Sequence, residues 1–321
     1  MKTTAVAHPI QGLIKYHGLK DATLRIPFHD SISVCIDALS TTTTVETTKS
    51  LKKDSVIING HEAAGEDYRR VEIVLDKLRS ISHYSGHFEV ASQNSITKGK
   101  GLGFSASGFA ALGTAACAAL EVDIDYIALS ELVRLGAGSA TRSLAGSFAV
   151  WYADKNGQSY AEPIVEPNAV NLGMVIVPIS STTKTDEAHV EVLGSPLFKA
   201  RLKYVKKIVK KMEEAIKKGD VTTIGKLAEE DSLILHASTM TGKAHMVLWE
   251  PETVRIIKEV EKMRKEEIPA WYSMDTGPSV FVNTFLDYAP EVADRLCRLG
   301  FSNIVTSKVG DKPSLNNRHL F

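Results

Sequence analysis

A glycine-rich loop in the first half of the sequence has the composition of a phosphate site. Its run Lys98-Gly-Lys-Gly-Leu-Gly-Phe-Ser-Ala-Ser-Gly108 leads into an alanine-rich helix. Glycines let a backbone approach a ligand closely, and the unpaired N–H groups at a helix N-terminus favour phosphate. The loop has neither the Gly-Lys-Ser/Thr ending of a Walker A loop nor a Gly-x-Gly-x-x-Gly fingerprint. An ordinary turn is the alternative, but Lys98, Ser105 and Ser107 favour phosphate binding.

A second glycine-rich segment, Gly136–Ser143, also opens a helix and carries Arg142 one turn into it. A guanidinium in that position can fork onto a carboxylate or a phosphate. The alternative is an ordinary capped helix with Arg142 on the surface. The segment therefore predicts an anion site without fixing which anion it binds.

A single carboxylate, Asp275, ends a strand directly before a Gly-Pro turn in the run Ser273–Pro278. Polar residues at strand ends beside glycine turns are well placed to act in a cleft. The alternative is an aspartate that opens the turn by bonding to its own backbone. His83 and His87 have metal-like spacing, but Ser85-Gly86 between them argues against one continuous helix and hence against a zinc site.

Strand-like and helix-like patterns alternate along the chain without a regular βαβ repeat, which predicts an α+β fold. Apolar residues at three- and four-residue intervals predict a helix over Glu66–Ser82, and a small-residue helix is expected to start near Ser105. The strands predicted in the first part are Thr4–Ala7, Gly12–Tyr16, Ser31–Ala38, Thr41–Thr47, Val56–Ile58 (ahead of the hairpin dipeptide Asn59-Gly60), His87–Ser92, Ser147–Ala153 and Leu172–Pro178.

The second part of the chain begins with a polar stretch, Ser180–His189, and then becomes mostly helical. We expect two lobes with a shared cleft, residues 1–178 and 179–321, with Leu172–Pro178 completing the first lobe. The elements predicted in the second lobe are helices Lys199–Lys218, Val221–Leu235, Pro251–Glu266 and Pro290–Leu299, and strands Ala270–Met274, Val280–Asn283 and Asn303–Ser307.

The composition excludes several classes of protein. The 321 residues are 44% apolar and 24% charged, which supports a packed core, and 38 basic residues balance 38 acidic ones. The zero formal charge argues against nucleic-acid and membrane partners. The longest nearly apolar run, Phe109–Val122, is too short to span a bilayer, and no signal peptide is apparent, so a cytoplasmic protein is expected. Cys35, Cys117 and Cys297 are expected to be three buried thiols rather than disulfide or metal ligands.

Several segments, in order along nearly the whole chain, resemble the mevalonate diphosphate decarboxylases. The run Ile10–Gly18, with Lys15-Tyr16-His17-Gly18, is similar to the start of that family, and Asp275-Thr-Gly-Pro278 is similar to its catalytic Asp-x-Gly-Pro. The other similar segments are Ile26–Ser33, Thr41–Thr44, Gly101–Gly108, Arg134–Ser143, Asp231-Ser232 with His236, and Val309–Pro313.

The resemblance implies the two-lobed fold of small-molecule kinases such as galactokinase, homoserine kinase and mevalonate kinase. Its first lobe would be ribosomal protein S5-like and its second ferredoxin-like. It also implies an ATP- and Mg²⁺-dependent reaction of isoprenoid biosynthesis in the mevalonate pathway. In that reaction the 3-hydroxyl of a mevalonate phosphate is phosphorylated, and then phosphate and CO2 leave to form an alkene. We expect a homodimer acting on a small molecule.

The resemblance assigns roles to individual residues. Asp275 would accept or orient the proton of the tertiary hydroxyl, Lys15 would hold that carboxylate and stabilise charge, and Arg142 would bind the substrate carboxylate. The other residues expected to bind substrate are Tyr16, His17, Ser139, Ser143 and Lys184. Those expected to bind the nucleotide are Lys98, Gly101, Gly103, Ser105, Ser107 and Gly108, with Ser105 also on the metal.

Two departures from the family pattern concern the substrate. Leu19 stands where the family has a lysine, and Ala137 stands where it has a serine. In the family, that lysine and that serine donate hydrogen bonds to the substrate's terminal diphosphate. The family's Ser-Arg-Glu-Gly-Met signature is also missing, with Lys184 or His189 as candidate replacements. Fewer donors suit one phosphate, and Ala7–Gly18 also resembles the phosphomevalonate decarboxylases of archaea and some bacteria.

We therefore expect mevalonate 5-phosphate as substrate and isopentenyl phosphate as product. One alternative is the same reaction on mevalonate 5-diphosphate or on mevalonate 3,5-bisphosphate. Another is a small-molecule kinase that stops after phosphorylation, although related 3-kinases have lost the decarboxylation machinery that Asp275 and Lys15 represent. A non-catalytic nucleotide-binding protein of this fold would be expected to have lost Asp275 or Arg142.

Overall fold

The computed structural model describes residues 1–96, 101–181 and 185–321 and confirms the α+β class. The strands in these residues are β1 (Lys2–Ala7), β2 (Ile10–Ile14), β3 (Leu19–Asp21), β4 (Ile26–Pro27), β5 (Ser31–Cys35), β6 (Thr41–Thr48), β7 (Ser55–Ile58), β8 (His61–Glu62), β9 (His87–Asn94), β10 (Phe148–Trp151), β11 (Ala161–Val165), β12 (Leu172–Val177), β13 (Ala270–Ser273), β14 (Val280–Phe285), β15 (Val305–Ser307) and β16 (Ser314–Asn316). The helices are α1 (Gly65–Ser82), α2 (Phe104–Leu120), α3 (Tyr126–Gly136), α4 (Ala140–Ala145), α5 (Thr185–Glu191), α6 (Phe198–Lys217), α7 (Val221–Met240), α8 (Pro251–Lys265) and α9 (Ala289–Arg298).

The first lobe is built on a six-stranded sheet of order β16-β1-β6-β9-β7-β8. Its neighbours are antiparallel except for β7 and β9, which run parallel. The Asn59-Gly60 dipeptide turns β7 into β8 with both residues at positive φ, as a tight hairpin requires. The small-residue helix α2 packs on β1 and β6, because its alanines and glycines let a helix lie close to the sheet.

A second sheet, of order β11-β10-β5-β2, joins the lobes. Helix α6 packs against β2, β5 and β11, while α7 contacts both β2 of the first lobe and β13 of the second. The largest hydrophobic core accordingly contains Leu13 and Ile32 from this sheet and Val205 and Met212 from α6. The two lobes therefore share one continuous core, which fixes the floor of the cleft between them.

The third sheet, of order β13-β14-β12-β15, forms the second lobe. The prediction that Leu172–Pro178 completes the first lobe is wrong, because β12 pairs with β14 and β15. All six residues of β12 are buried. Because a continuous apolar run is compatible with a central strand in the sheet of either lobe, the sequence of β12 did not identify the strands with which it pairs. The predicted boundary between residues 178 and 179 thus falls just after the first strand of this sheet.

Three further details differ from expectation or add to it. Cys297 is exposed rather than buried, because it follows Leu296 on α9 and lies off the face formed by Ala289, Val292 and Leu296. Part of the polar stretch before residue 190 is helical, as α5. Among the described residues, no helix is long and apolar enough to cross a membrane.

Candidate active site

A cavity of about 890 Å³ lies between the lobes and is lined by residues of both. The end of β2, the start of α2, the segment before α4 and the turn after β13 all reach it. Eight of the residues that the sequence predicted for the site line this cavity: Lys15, Tyr16, Gly101, Gly103, Ser105, Ser139, Arg142 and Asp275. Residues as far apart in the sequence as Gly12 and Asp275, which are separated by 263 positions, therefore meet at one place.

Asp275 is held against the backbone of the first lobe. The Gly12 N–H donates to both carboxylate oxygens, at 3.1 and 3.2 Å. Burial raises the pKa of Asp275 to about 6, while Lys15, the Gly12 N–H and Arg142 oppose that rise. A Cβ on Gly12 would lie 2.7 Å from Lys15 Cγ and 2.8 Å from Asp275 Oδ1, so only glycine fits between these two side chains. A carboxyl group with such a pKa is suited to accept a proton near neutral pH.

Lys15 places a buried ammonium beside that carboxylate. Its Nζ donates to Ser273 Oγ at 2.9 Å and lies 3.8 Å from Asp231 Oδ2. Burial lowers the pKa of Lys15, whereas the charges of Asp231 and Asp275 raise it. The Asp275 and Lys15 side chains thus bring opposite charges to the cavity, and burial of Lys15 makes electrostatic interactions there stronger than in water.

Arg142 supplies a cation with unused donors. It is 2% exposed, and its Nε and Nη1 make no hydrogen bond to any residue that the structure describes. Its guanidinium lies over the rings of Tyr16 and Trp151, 5.4 and 5.6 Å from their centroids, and burial lowers its pKa to about 10. The surface alternative for Arg142 is wrong. Because a buried donor without a partner costs free energy, these atoms indicate an anion-binding position.

The glycine-rich loop enters α2 in the way a phosphate cradle requires. Gly103, the residue that caps α2, has φ +75°, and a Cβ on it would lie 2.5 Å from the Ile10 carbonyl oxygen. Gly101 has φ +77°, and a Cβ there would lie 3.2 Å from Gly277 Cα. Ser105 is exposed at the start of the helix and lines the cavity. These contacts leave a glycine-lined surface for an oxyanion at the helix N-terminus.

Four predicted site residues do not line the cavity. His17 contacts Thr239 and His189, Ser107 bonds to Thr41 Oγ1 at 2.6 Å, and Ser143 donates to the His8 carbonyl at 2.6 Å. Their polar atoms therefore have partners inside the fold, and their proposed ligand contacts stay predictions. Gly108 lies on α2 with open space around it. Lys98 and Lys184 lie outside the described residues.

The structure adds two basic residues that the motifs did not single out as site residues. Arg25 lines the cavity, and its Nε donates to the Leu135 carbonyl at 3.2 Å. His189, noted only as a candidate replacement, also lines it and stacks on Tyr16 at 4.6 Å. Arg25 sits in the β3–β4 turn at positive φ, and neither its spacing nor its neighbours distinguishes it from a surface arginine.

Acidic groups also line the cavity. Glu66, Asp67 and Glu187 line it together with Ser105. Hydroxyl and carboxylate oxygens are the ligands that Mg²⁺ prefers, and it usually binds through few protein groups and the phosphates of its ligand. In the described part of the chain, no cluster of three or more His, Cys, Asp or Glu forms a protein-only metal site. A metal ion at this site would therefore take most of its ligands from a bound nucleotide and from water.

Comparison with known proteins agrees with this geometry. Residues 7–161 match the family model "Diphosphomevalonate decarboxylase-like N-terminal domain", and residues 179–316 match "Mevalonate 5-diphosphate decarboxylase C-terminal domain". Phosphomevalonate decarboxylase of Haloferax volcanii is 37% identical over 302 residues, covering 94% of this chain and 93% of that protein.

Solved structures give the same picture. Mevalonate diphosphate decarboxylase from Staphylococcus aureus superposes with a TM-score of 0.91 at 28% identity, covering 98% of both chains. The complex of MDDEF with MVAPP, AMPPCP and magnesium also gives a TM-score of 0.91 at 28% identity, covering 99% of both. The fold of the lobes and their arrangement around the cleft are therefore shared with these proteins.

Proposed function

We propose a reaction for this chain, which belongs to the diphosphomevalonate decarboxylase family: the ATP-dependent decarboxylation of mevalonate 5-phosphate to isopentenyl phosphate, CO2, ADP and phosphate. The observation that carries the proposal is the unpaired, buried guanidinium of Arg142 in the cavity that also holds Asp275 and Lys15. A substrate that carries both a carboxylate and a tertiary hydroxyl suits this arrangement. Its carboxylate is the anion that Arg142 would bind, and its hydroxyl provides the proton that Asp275 would accept.

The chemistry divides between binding and proton handling. Arg142 forks onto the substrate carboxylate and fixes the 3-hydroxyl near Asp275, which takes up the hydroxyl proton as the oxygen attacks the γ-phosphorus of ATP. Lys15 compensates the negative charge at the reacting centre. The bond between the carboxylate carbon C1 and C2 then breaks and releases CO2. Its electron pair forms the double bond between C2 and C3, and the 3-phosphate leaves from C3 together with the oxygen that joined them.

Nucleotide binding follows from the glycine loop. Backbone N–H groups around Gly101 and Gly103 and the N-terminus of α2 would hold phosphates, with Lys98 from the same loop as a proposed contact. Ser105 would ligate Mg²⁺ together with the phosphates, and the ion would neutralise charge there. Positioning and charge stabilisation account for most of phosphoryl-transfer catalysis, and the loop and the cations would supply both.

Replacing Gly103 with alanine is expected to raise the KM for ATP by about tenfold or more and to lower the melting temperature. The new Cβ would meet the Ile10 carbonyl at 2.5 Å in a backbone conformation that favours glycine. Gly108→Ala is the matched control, since nothing lies within 4 Å of its Cβ and helical alanine is favoured by about 0.5–1 kcal/mol.

Steady-state kinetics and thermal melts on both variants test the loop. An unchanged KM for ATP in Gly103→Ala would contradict the cradle. A raised KM in Gly108→Ala would instead show that ATP approaches Gly108, as the sequence predicted.

The substrate's phosphate would lie near Ala137, Ser139 and Tyr16. Ala137 is 4% exposed and lines the cavity where the family has a serine donor. Arg25, bonded to the carbonyl two residues before Ala137, and His189, stacked on Tyr16, would bind the phosphate instead. Lys184 is a further proposed contact. Lys20, another cation of the β3–β4 hairpin, lines a separate cavity, so we do not assign it to the phosphate.

We expect mevalonate 5-phosphate to have a kcat/KM at least about tenfold above the 5-diphosphate, because each missing charged hydrogen bond costs about 1.5–3 kcal/mol. Ala137→Ser combined with Leu19→Lys should shift that preference toward the diphosphate. Lys20→Gln, on the same hairpin, should leave the preference unchanged. Specificity constants for mevalonate 5-phosphate, the 5-diphosphate and the 3,5-bisphosphate on the three proteins decide the substrate.

A parent enzyme that prefers the diphosphate would mean that Arg25 and His189 restore the second phosphate site, and the monophosphate proposal would be wrong. ADP release without CO2 would identify a kinase. The homodimer stays a prediction, and sedimentation analysis at several protein concentrations tests it.

A further inference from the structure

The backbone of Lys15 is held by an ion pair from the other lobe. Its N–H donates to Asp231 Oδ2 at 2.9 Å, and its carbonyl accepts from Arg201 Nη2 at 2.8 Å. Asp231 lies on α7 and Arg201 on α6, whereas Lys15 follows β2 of the first lobe. Both polar groups of this one peptide segment are thus satisfied by side chains from the second lobe.

The two side chains also pair with each other. Arg201 Nη2 lies 3.1 Å from Asp231 Oδ1, and both side chains have 0% exposure. Removing two charges from water is costly, and a buried ion pair often adds no net stability over apolar residues of similar size. A gain in stability alone therefore does not account for a buried pair here. The properties of the pair that matter for the site are its geometry and its charges.

The charges of the pair act on Lys15 in opposite directions. Burial lowers the pKa of Lys15, Asp231 and then Asp275 raise it, and Arg201 lowers it. His236, from α7, is a further buried neighbour, and burial followed by the charge of Lys15 lowers its pKa to about 3, so it is neutral at working pH. Arg142 faces the same cavity from α4. Changing Asp231 or Arg201 thus alters the field at Lys15 with opposite sign.

We propose that Asp231 and Arg201 are positioning residues that lock the backbone of Lys15 across the lobe junction and set the charge on its ammonium. This inference rests on the proposed function, because it assumes that protonated Lys15 supports turnover. Neither residue lines the cavity, but both bond to Lys15, which does, so they act on the site mainly through Lys15. Beyond burial, the charge of Asp231 also raises the pKa of Asp275.

Asp231→Asn keeps the shape of the side chain and removes its charge. We expect kcat to fall by about tenfold or more while the KM for ATP stays within about threefold. The alkaline limb of the pH–kcat profile should move to lower pH by about one unit, because Lys15 loses the negative neighbour that favours its charged form.

Arg201→Met removes the positive neighbour, so the alkaline limb should move to higher pH. If the two residues only supported folding, the alkaline limb would stay in place in both variants or would move in the same direction in both. Arg201→Met also decides the question if Asp231→Asn does not fold, because an upward shift supports the proposal and an unshifted limb overturns it.

Glu229→Gln is the matched control. Glu229 lies on the same helix, accepts from the Tyr272 N–H at 3.1 Å and pairs with Arg264 at 2.8 Å, yet it does not line the cavity. Its loss should lower the melting temperature and leave kcat and the alkaline limb as in the parent. A shift in this variant equal to that of Asp231→Asn would overturn a specific role for the pair.

Substrate-dependent release of ADP and CO2 by the parent is measured first. A parent inactive on all mevalonate phosphates would refute the proposed function. An active parent whose Asp231 and Arg201 variants fold and keep its pH profile would refute the positioning role alone.

Discussion

Asp275→Asn is expected to bind ATP and substrate normally while turnover falls by about two to four orders of magnitude. The amide retains the shape of the carboxyl group and its contact with the Gly12 N–H, but it cannot accept the hydroxyl proton. Single-turnover ADP formation and equilibrium binding of ATP separate the two effects. Turnover within about tenfold of the parent, a barrier change of about 1.4 kcal/mol, would remove Asp275 from the mechanism.

The same residue predicts a pH dependence. Since burial raises the pKa of Asp275 to about 6, parent activity should rise with pH through about 6 as the carboxylate forms. The carboxyl pKa is higher in the folded than in the unfolded chain, so ionisation of Asp275 lowers stability as pH rises from about 4 to 6. Above that range Asp275→Asn should therefore melt at a higher temperature than the parent, even though it is nearly inactive.

Asp287→Asn is a suitable control, because Asp287 is exposed after β14 and outside the cavity. It should leave activity, the acid limb and the melting temperature unchanged. An acid limb that persists unaltered in Asp275→Asn would assign that limb to another group.

Arg142→Lys is expected to lower kcat/KM by about a hundredfold or more. An ammonium is a point charge that cannot reproduce the planar, two-pronged hydrogen bonding of a guanidinium to a carboxylate, and each lost charge-assisted hydrogen bond costs about 1.5–3 kcal/mol. The planar guanidinium also packs over Tyr16 and Trp151, which a lysine would not do in the same way. Steady-state kinetics with varied substrate at saturating ATP measure the loss.

Arg264→Lys provides the comparison for that substitution. Arg264 pairs with Glu229 outside the cavity, so lysine there should lower stability without changing the KM for either substrate. A normal kcat and KM in Arg142→Lys would show that the unpaired guanidinium does not bind the substrate carboxylate.

The sequence predicted reliably which segments meet at the cleft. It predicted less reliably which of their side chains point into it. The periodic helix α1 and the Asn59-Gly60 hairpin formed as predicted, because local spacing and turn chemistry determine them. Ser107 and Ser143 were assigned from motif proximity, but helical rotation turns each toward a neighbouring element. Asp231 matched the family pattern without an assigned role, because its role depends on Arg201, 30 residues away on another helix.

The strand order of the first sheet has a consequence for the order of folding during synthesis. Strand β16 pairs with β1, so Val6 lies opposite Ser314 although 308 residues separate them. Chains emerge from the ribosome N-terminus first, and contacts between distant residues form slowly because of the entropy of closing the loop. The edge of β1 therefore stays uncovered until the second lobe has been made. Until then the edge of β1 is an open template for pairing with other chains.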